Sequence, residues 1–559
     1  MLAQLVQSAR LTRVRSLVRI QYVPLLQRPR QRGFRFLGVM ERTHGRAALK
    51  WEAALYWCVV ALHLVPVLSS KWFVTLDGPC HLYNARIIAD LLRGSTSAAT
   101  FFHINPFPEP NWLGHAIMAF TMFFAPAWIA EKLVFTLAII GLAWSFRAFI
   151  RTIAPERVWM SWLVMPFLLS YTLRMGFINF SLSLPLLFVA LGSWNVLRGD
   201  PRSRNRWRLA AAMLLLYFAH LSTFLLCTGT LALWAVRESV APSNLRRAAS
   251  SLKQLIACTA MPLSLVVWYH FAHPAGPAAP KFLPKGELLQ WIFDGRAWNT
   301  LVYAQELRFT RTMAVVMLAM FVVAVIVALR DHRWRKPDAL LIWAGVALIL
   351  FTAYFLLPDE MAGGKIASPR LLLFAMMFIA IVIAFSRLHR VVAVCGIVII
   401  VVADGAHTLQ QTRTAESLGQ EADELVSIAS SVPEGAVLLP LNYGDNQMHS
   451  NMSNYIGAMR HAIVLDNFAA YAAHDPILWN RRMGITHIGN FATSNRPCVR
   501  INAYVPSAGI RAGQVLTWKM NDTMDDSCAN DLRAQLAAHY HLVATSPHGD
   551  ARLYQLNDR

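Results

Sequence analysis

Charge is scarce in this chain: only 15% of its 559 residues are Asp, Glu, Lys or Arg, and acids are outnumbered, 31 against 52. Soluble globular domains carry about 25% charged residues, so water is not the only solvent for this one. The excess of +21 charges does not signal nucleic acid either. Its arginines fall in short clusters between apolar runs rather than along one face, the pattern of cytoplasmic loops in a membrane protein. The seven cysteines form no CxxC pair and no Cys/His spacing, which excludes a zinc or dithiol redox motif. Cys58, Cys227, Cys258 and Cys395 lie inside apolar runs, where thiols act as small hydrophobes. No P-loop and no GxGxxG after a strand is present, so a soluble nucleotide site is not expected. Nor is there an internal repeat or a low-complexity tract.

What the chain has instead is apolar length, with 56% hydrophobic residues and a mean hydropathy of +0.41. About 20 apolar residues cross a bilayer core, and about 17 suffice. Candidate spans are 51–70, 132–150, 157–173, 176–197, 254–272, 312–330, 338–357, 370–386 and 390–404. Two stretches are ambiguous, 113–128 with His115 and Pro126, and the long run 208–236. Basic loops at Arg198 to Arg208, Arg237 to Lys253, Arg330 to Lys336 and Arg387 to Arg390 must share the cytoplasmic side. They do so if 113–128 lies along the interface and 208–236 crosses twice, turning near His220 to Thr223. The expectation is an all-α polytopic bundle of about eleven spans, N-terminus inside and C-terminus outside, in a bacterial cytoplasmic membrane. Segment 1–50 is basic and acid-poor. Within it, Leu17 to Gln21 resembles the translation of a tRNA gene, and Met40 is the expected true start.

Residues 51–404 form the expected membrane domain, with a large first outer loop at 71–131. Residues 405–559 form the expected extracytoplasmic α/β domain. Its amphipathic helix is 416–430, and its strands are Ala436 to Leu441, Ala462 to Leu465, Leu542 to Thr545 and Arg552 to Gln555. Cys498 and Cys528 lie there and can pair if that side is oxidising.

The sharpest local signal is Leu76-Asp77-Gly78-Pro79-Cys80-His81-Leu82-Tyr83-Asn84, just after the first span. Asp77 on a Gly-Pro turn, with His81 four residues on, suits proton transfer or cation binding. The plainer alternative is that Asp77 caps the following helix. A second signal is Asp359, Glu360, Lys365 and Arg370 around a Gly-Gly turn. The cations there suit a phosphate, or simply reach toward lipid headgroups. Arg174, Asn179 and His220 sit near span ends, where a charge at mid-membrane costs about 2.5–3.5 kcal/mol and marks a cavity more often than not. Against this, His220 and Asn179 also suit simple packing. The tryptophans of the 273–311 loop read as interfacial anchors.

Together these residues resemble the GT-C superfamily of membrane glycosyltransferases, the group that includes protein mannosyltransferases and the lipid A aminoarabinose transferase. The likeness rests on Asp77 in the first outer loop, the interfacial helices there, Phe177-Ile178-Asn179-Phe180 opening a later span, Ala219-His220 at a hairpin, and Pro358 with Arg370 in a late loop. It implies inverting transfer of a sugar from a polyprenyl-phosphate donor to an extracytoplasmic acceptor. By position it makes Asp77, with His81, the catalytic candidate. Lys365, Arg370 and Arg174 become donor-phosphate candidates, and Asn84, Asn179, His220, Asp359 and Glu360 line the cavity. No cofactor is fixed, and a divalent cation at Asp77 is the one the reading admits. The family commonly has a second acid, for which Glu109, Asp294 and Glu306 are the distant options. A transporter or flippase, or a non-catalytic assembly protein with an outer binding domain, is the alternative. Long outer loops and the lack of paired broken spans weigh against transport.

Overall fold

The computed structural model describes residues 50–239, 245–273, 279–300, 302–331, 339–360, 365–471, 475–480, 489–490, 497–501, 512–521, 523–524 and 527–557. The basic segment 1–49, with its expected start at Met40, lies outside these residues. So do the loop 332–338 and the Gly363-Gly364 turn.

Uninterrupted apolar runs with few breakers make helices, because a backbone in lipid must satisfy its own hydrogen bonds. The helices used here are α1 (Lys50–Leu68), α2 (Gly78–Leu92), α3 (Leu113–Thr121), α4 (Ala127–Ile153), α5 (Ile178–Gly199), α6 (Ser203–Ala219), α7 (Leu221–Ser239) and α8 (Leu245–Ala272). They continue as α9 (Lys285–Asp294), α10 (Tyr303–Arg330), α11 (Leu340–Leu356), α12 (Ala367–Phe385), α13 (Arg390–Val426), α14 (Asn454–Arg460) and α15 (Ser527–His539). Among the described residues, seven helices are long and apolar enough to cross a membrane, and two shorter apolar ones, Leu221–Arg237 and Leu340–Leu356, accompany them. The chain is an integral membrane protein. α4 packs on α5, α5 on α6, α11 on α12, and α10 on α13.

The expected span at 157–173 is not an α-helix. Pro155 and Pro166 remove backbone donors, Arg157 leaves helical geometry at φ −122°, and Pro155–Phe167 winds as a 3-10 helix. The ambiguous run 208–236 does break at His220, whose φ/ψ of −162°/126° are extended. The stretch 113–128 yields only the nine-residue α3, about 14 Å long and too short to cross. Residues 416–430 are helical as expected, though not as a helix of their own. The span at 390–404 continues without a break into the 37-residue α13, about 55 Å long. Gly405 and Gly419 do not stop it, and Gly419 instead lets Ser70 approach so closely that a Cβ would meet its Oγ at 2.3 Å.

The C-terminal part holds a five-stranded sheet in the order β3-β2-β7-β9-β8. Its strands are β2 (Val437–Asn442), β3 (Ile463–Val464), β7 (Gln514–Trp518), β8 (Tyr540–Thr545) and β9 (Ala551–Leu556). β2 runs parallel to β3 and β7, while β9 pairs antiparallel with β7 and β8. The four expected strands are all present. Central β7 is the one sequence reading passed over, and its five residues are all buried. Outside this sheet, β1 (Phe102–Ile104) pairs antiparallel with β4 (Ile477–Trp479), and β5 (Gly489–Asn490) with β6 (Cys498–Val499). Cys498 and Cys528 form a disulfide with their Cα atoms 4.9 Å apart, tying β6 to α15.

Candidate active site

The loop before α2 is fixed by close backbone contacts. The Asp77 N–H donates to the Met175 carbonyl at 3.1 Å, and the Gly78 N–H donates to Thr75 Oγ1 at 3.1 Å. Gly176 sits at φ 80°, and a Cβ there would meet the Gly78 nitrogen at 2.4 Å and the Asp77 nitrogen at 2.8 Å. Only glycine fits that crossing. Asp77 is the N-cap residue of α2, but its side chain makes no capping bond. Asn451 instead donates to the Leu76 carbonyl at 2.8 Å and approaches Asp77 Oδ1 at 3.5 Å. The Asp77 carboxylate is thus left for other work.

Its electrostatic partner is Arg370, in the first turn of α12. Burial pushes the Asp77 carboxyl up to about 7, and the Arg370 charge pulls the other way. The Arg370 guanidinium lies over the Phe177 ring at 4.5 Å and faces Phe180 at 5.7 Å. Its Nε is buried without a hydrogen-bond partner. The His220 ring meets Phe180 edge-on at 5.0 Å. Burial first, and the Arg370 charge second, hold the His220 imidazole neutral, well below its ordinary value. Four sequence candidates, Asp77, Arg370, His220 and the Phe177–Phe180 segment, therefore share one place.

Asp359 helps to set Arg370. Ile366 precedes α12 in the left-handed region at φ 60°, an uncommon conformation for a β-branched residue. The Asp359 carboxylate accepts from the Ser368 N–H at 2.8 Å, and its carbonyl from the Ala367 N–H at 3.0 Å. Asp359 is thereby a cap for α12 as well as a charge within reach of Arg370. His81 and Asn179 form a neighbouring wall. His81 Nδ1 lies 3.2 Å from His115 Nε2, and Asn179 Nδ2 lies 3.4 Å from His115 Nδ1. The Asn179 Oδ1 accepts from the Gly114 N–H at 2.7 Å. Burial, with His115 beside it, pushes His81 down to about 3, and burial holds His115 at about 4, so both rings are neutral at pH 7. A ring held neutral at that value is a weak proton acceptor, and the His81 backbone N–H donates to the Asp77 carbonyl at 3.1 Å.

The remaining candidates face other groups or solvent. Lys365 is exposed. Glu360 pairs with Lys281 at 3.1 Å. Buried Asn84 accepts from Asn467 at 2.7 Å and serves packing. Arg174 is fully buried over the Phe73 ring at 4.5 Å, with Glu306 and Tyr455 as its electrostatic neighbours. The distant acids are all engaged. Glu109 meets His273 at 2.7 Å, Asp294 meets Arg311 at 2.7 Å, and Glu306 meets His407 at 3.1 Å.

The acid that does approach Asp77 is one the sequence did not disclose, Asp475. The β1–β4 pairing delivers it, and Asn105 locks it by donating to the Asp475 carbonyl at 3.1 Å. Burial first, and the Asp77 charge second, raise its carboxyl to about 8. Nothing in a lone Asp-Pro 398 positions downstream marks it, because only the pairing of two short strands brings it in. Among the described residues no three His, Cys, Asp or Glu side chains assemble as a metal site. A divalent cation would find two carboxylates here rather than a full ligand set.

The helical membrane bundle, with an acidic first loop against a late-loop arginine and joined to a mixed sheet, shares its fold with solved structures of ArnT. Among the similar solved structures are ArnT from Cupriavidus metallidurans bound to undecaprenyl phosphate, with a TM-score of 0.52, and the same protein in the apo state, with 0.51. Each is 12% identical and covers 91% of this chain and 98% of the other. No protein-family model matches the chain. No curated protein matches it.

Proposed function

We propose that the chain is a glycosyltransferase that moves a sugar from a polyprenyl-phosphate donor to an acceptor on the extracytoplasmic side of a bacterial cytoplasmic membrane. The observation that carries this reading is the half-buried Asp77–Arg370 couple, a carboxylate and a cation at one end of a membrane bundle. Asp77 takes the proton of the acceptor hydroxyl or amine as its lone pair forms the new bond to the anomeric carbon. The old anomeric carbon–oxygen bond breaks, and its electrons leave on the lipid phosphate, where Arg370 stabilises the charge. Displacement from the opposite face inverts the anomeric centre. A carboxyl held at about 7 suits such a base at neutral pH. Support for the lipid comes from an apolar groove of about 390 Å³ along Leu348, Ile349, Leu356 and Leu357, which ends directly before Pro358. ArnT, with which the fold is shared, binds undecaprenyl phosphate. The disulfide supports an oxidising side for the C-terminal part.

The test is Asp77→Asn, an isosteric change, with glycolipid and glycan profiling of cells and transfer assays on purified protein. The expected outcome is a normally inserted protein whose transfer falls by about 10²–10⁴-fold, the usual contribution of a general base. An unchanged profile with intact insertion removes Asp77 from the chemistry.

A further inference from the structure

α5 and α6, which reach the Asp77 site at one end, build with α4 a second feature at the other. α5 begins beside Asn179 and α6 ends at His220, so the far ends of α4 and α5 and the start of α6 are remote from Asp77 along the bundle. There a groove of about 170 Å³ is lined by Trp144, Phe149, Phe188 and Val196, with Thr152 and Arg208 at the helix ends. Its character changes along its length. The walls are aromatic and aliphatic, and the cation sits where α6 starts.

Two further observations say what fits it. Arg204 and Arg208 are both exposed and lie four residues apart, hence on one face of α6. Trp144 and Trp207 are 55% and 75% exposed, as tryptophans are that anchor at the level of lipid headgroups. Thr152 is already committed, donating to the Phe149 carbonyl at 2.7 Å and accepting from Asn195 at 3.3 Å. Ser145 and Asn205 of the lining are likewise committed, to the Leu142 carbonyl at 3.3 Å and the Asp200 carbonyl at 2.8 Å, and the charge that the groove presents is Arg208. A soluble anion would leave the apolar walls unused, and a zwitterionic lipid would gain little from two arginines. We propose that this groove is a binding site for an anionic phospholipid of the arginine-rich leaflet, with part of an acyl chain against the exposed Trp144 and Val196 and the phosphate at Arg208. The volume holds a segment of one chain, not a whole lipid.

The experiment uses the full chain purified in detergent and native mass spectrometry after adding phosphatidylglycerol or phosphatidylcholine of identical acyl chains. The wild type is expected to retain phosphatidylglycerol roughly fivefold more, the preference one surface arginine gives. Arg208→Gln removes that preference. Gly192→Leu fills the groove and lowers retention of both lipids. Its new Cβ meets the Phe149 Cα at an ordinary 3.9 Å, so the backbone need not move. Equal retention of the two lipids by the wild type, or retention unchanged in both variants, overturns the proposal. So does undecaprenyl phosphate displacing phosphatidylglycerol in an Arg208-dependent way, which would make the groove a donor site. Neither substituted residue touches the Asp77 site, so sugar transfer can be scored separately and each reading fails on its own evidence.

Discussion

At the scale of single residues the account turns on one proton. Burial raises Asp77 and Arg370 opposes that rise, so the carboxyl ionises near pH 7. Transfer is then expected to climb with pH through about 7, because only the ionised carboxylate accepts a proton. Arg370→Gln removes the opposing charge, which moves that ascending limb to higher pH. It should also weaken transfer by roughly ten- to hundredfold, the usual worth of a hydrogen bond to a charged group. A pH–rate profile of both proteins decides it, and an unshifted limb contradicts the coupling. Asp77, Arg370 and His220 were legible in the sequence because each is a rare polar group at the edge of an apolar run. Asp475 was not, since nothing local distinguishes it. Arg174 stood out for the same reason as Arg370, yet the fold turns its guanidinium onto Phe73 and toward Glu306.

At the scale of elements, the site exists because two loops cross with almost no space between them. Gly176 at φ 80° leaves 2.4 Å from a would-be Cβ to the Gly78 nitrogen. Gly176→Ala is therefore expected to displace the Asp77 loop or destabilise the protein by more than about 1 kcal/mol, as alanine at positive φ does. Transfer activity and melting temperature together measure this, and wild-type values for both contradict the crossing. Sequence periodicity located the apolar helices well, because lipid imposes a length and a composition. It could not foresee α13 as one rod. The change from apolar to amphipathic pattern near Asp404 reads as a boundary, while the backbone simply continues from one solvent into the other. The prolines that make Pro155–Phe167 a 3-10 helix were visible, but their effect on a run otherwise long enough to span was not.

At the scale of the molecule, the first loop and the C-terminal part are interlocked. Tyr83 donates to the Ala462 carbonyl at 2.7 Å, Arg86 to the Ala458 carbonyl at 3.0 Å, and His461 meets Asp90 at 2.7 Å. The carboxyls of Asp77 and Asp466, both raised to about 7, and of Asp475, raised to about 8, lie in or against that seam. A carboxyl raised on folding binds its proton more tightly in the native state. Its stability contribution is complete below pH 4 and is lost as pH climbs through 7 and 8. Melting temperature should accordingly fall between pH 5 and pH 9, and Asp475→Asn should flatten the upper part of that fall. A melting temperature that rises over the same range contradicts the buried, proton-bearing seam.

The most direct measurement is a cryo-electron microscopy structure of the full chain with undecaprenyl phosphate. The phosphate is expected within hydrogen-bond distance of the Arg370 guanidinium, on the side facing Asp77. A lipid phosphate bound elsewhere, with the Asp77–Arg370 space empty, would contradict it.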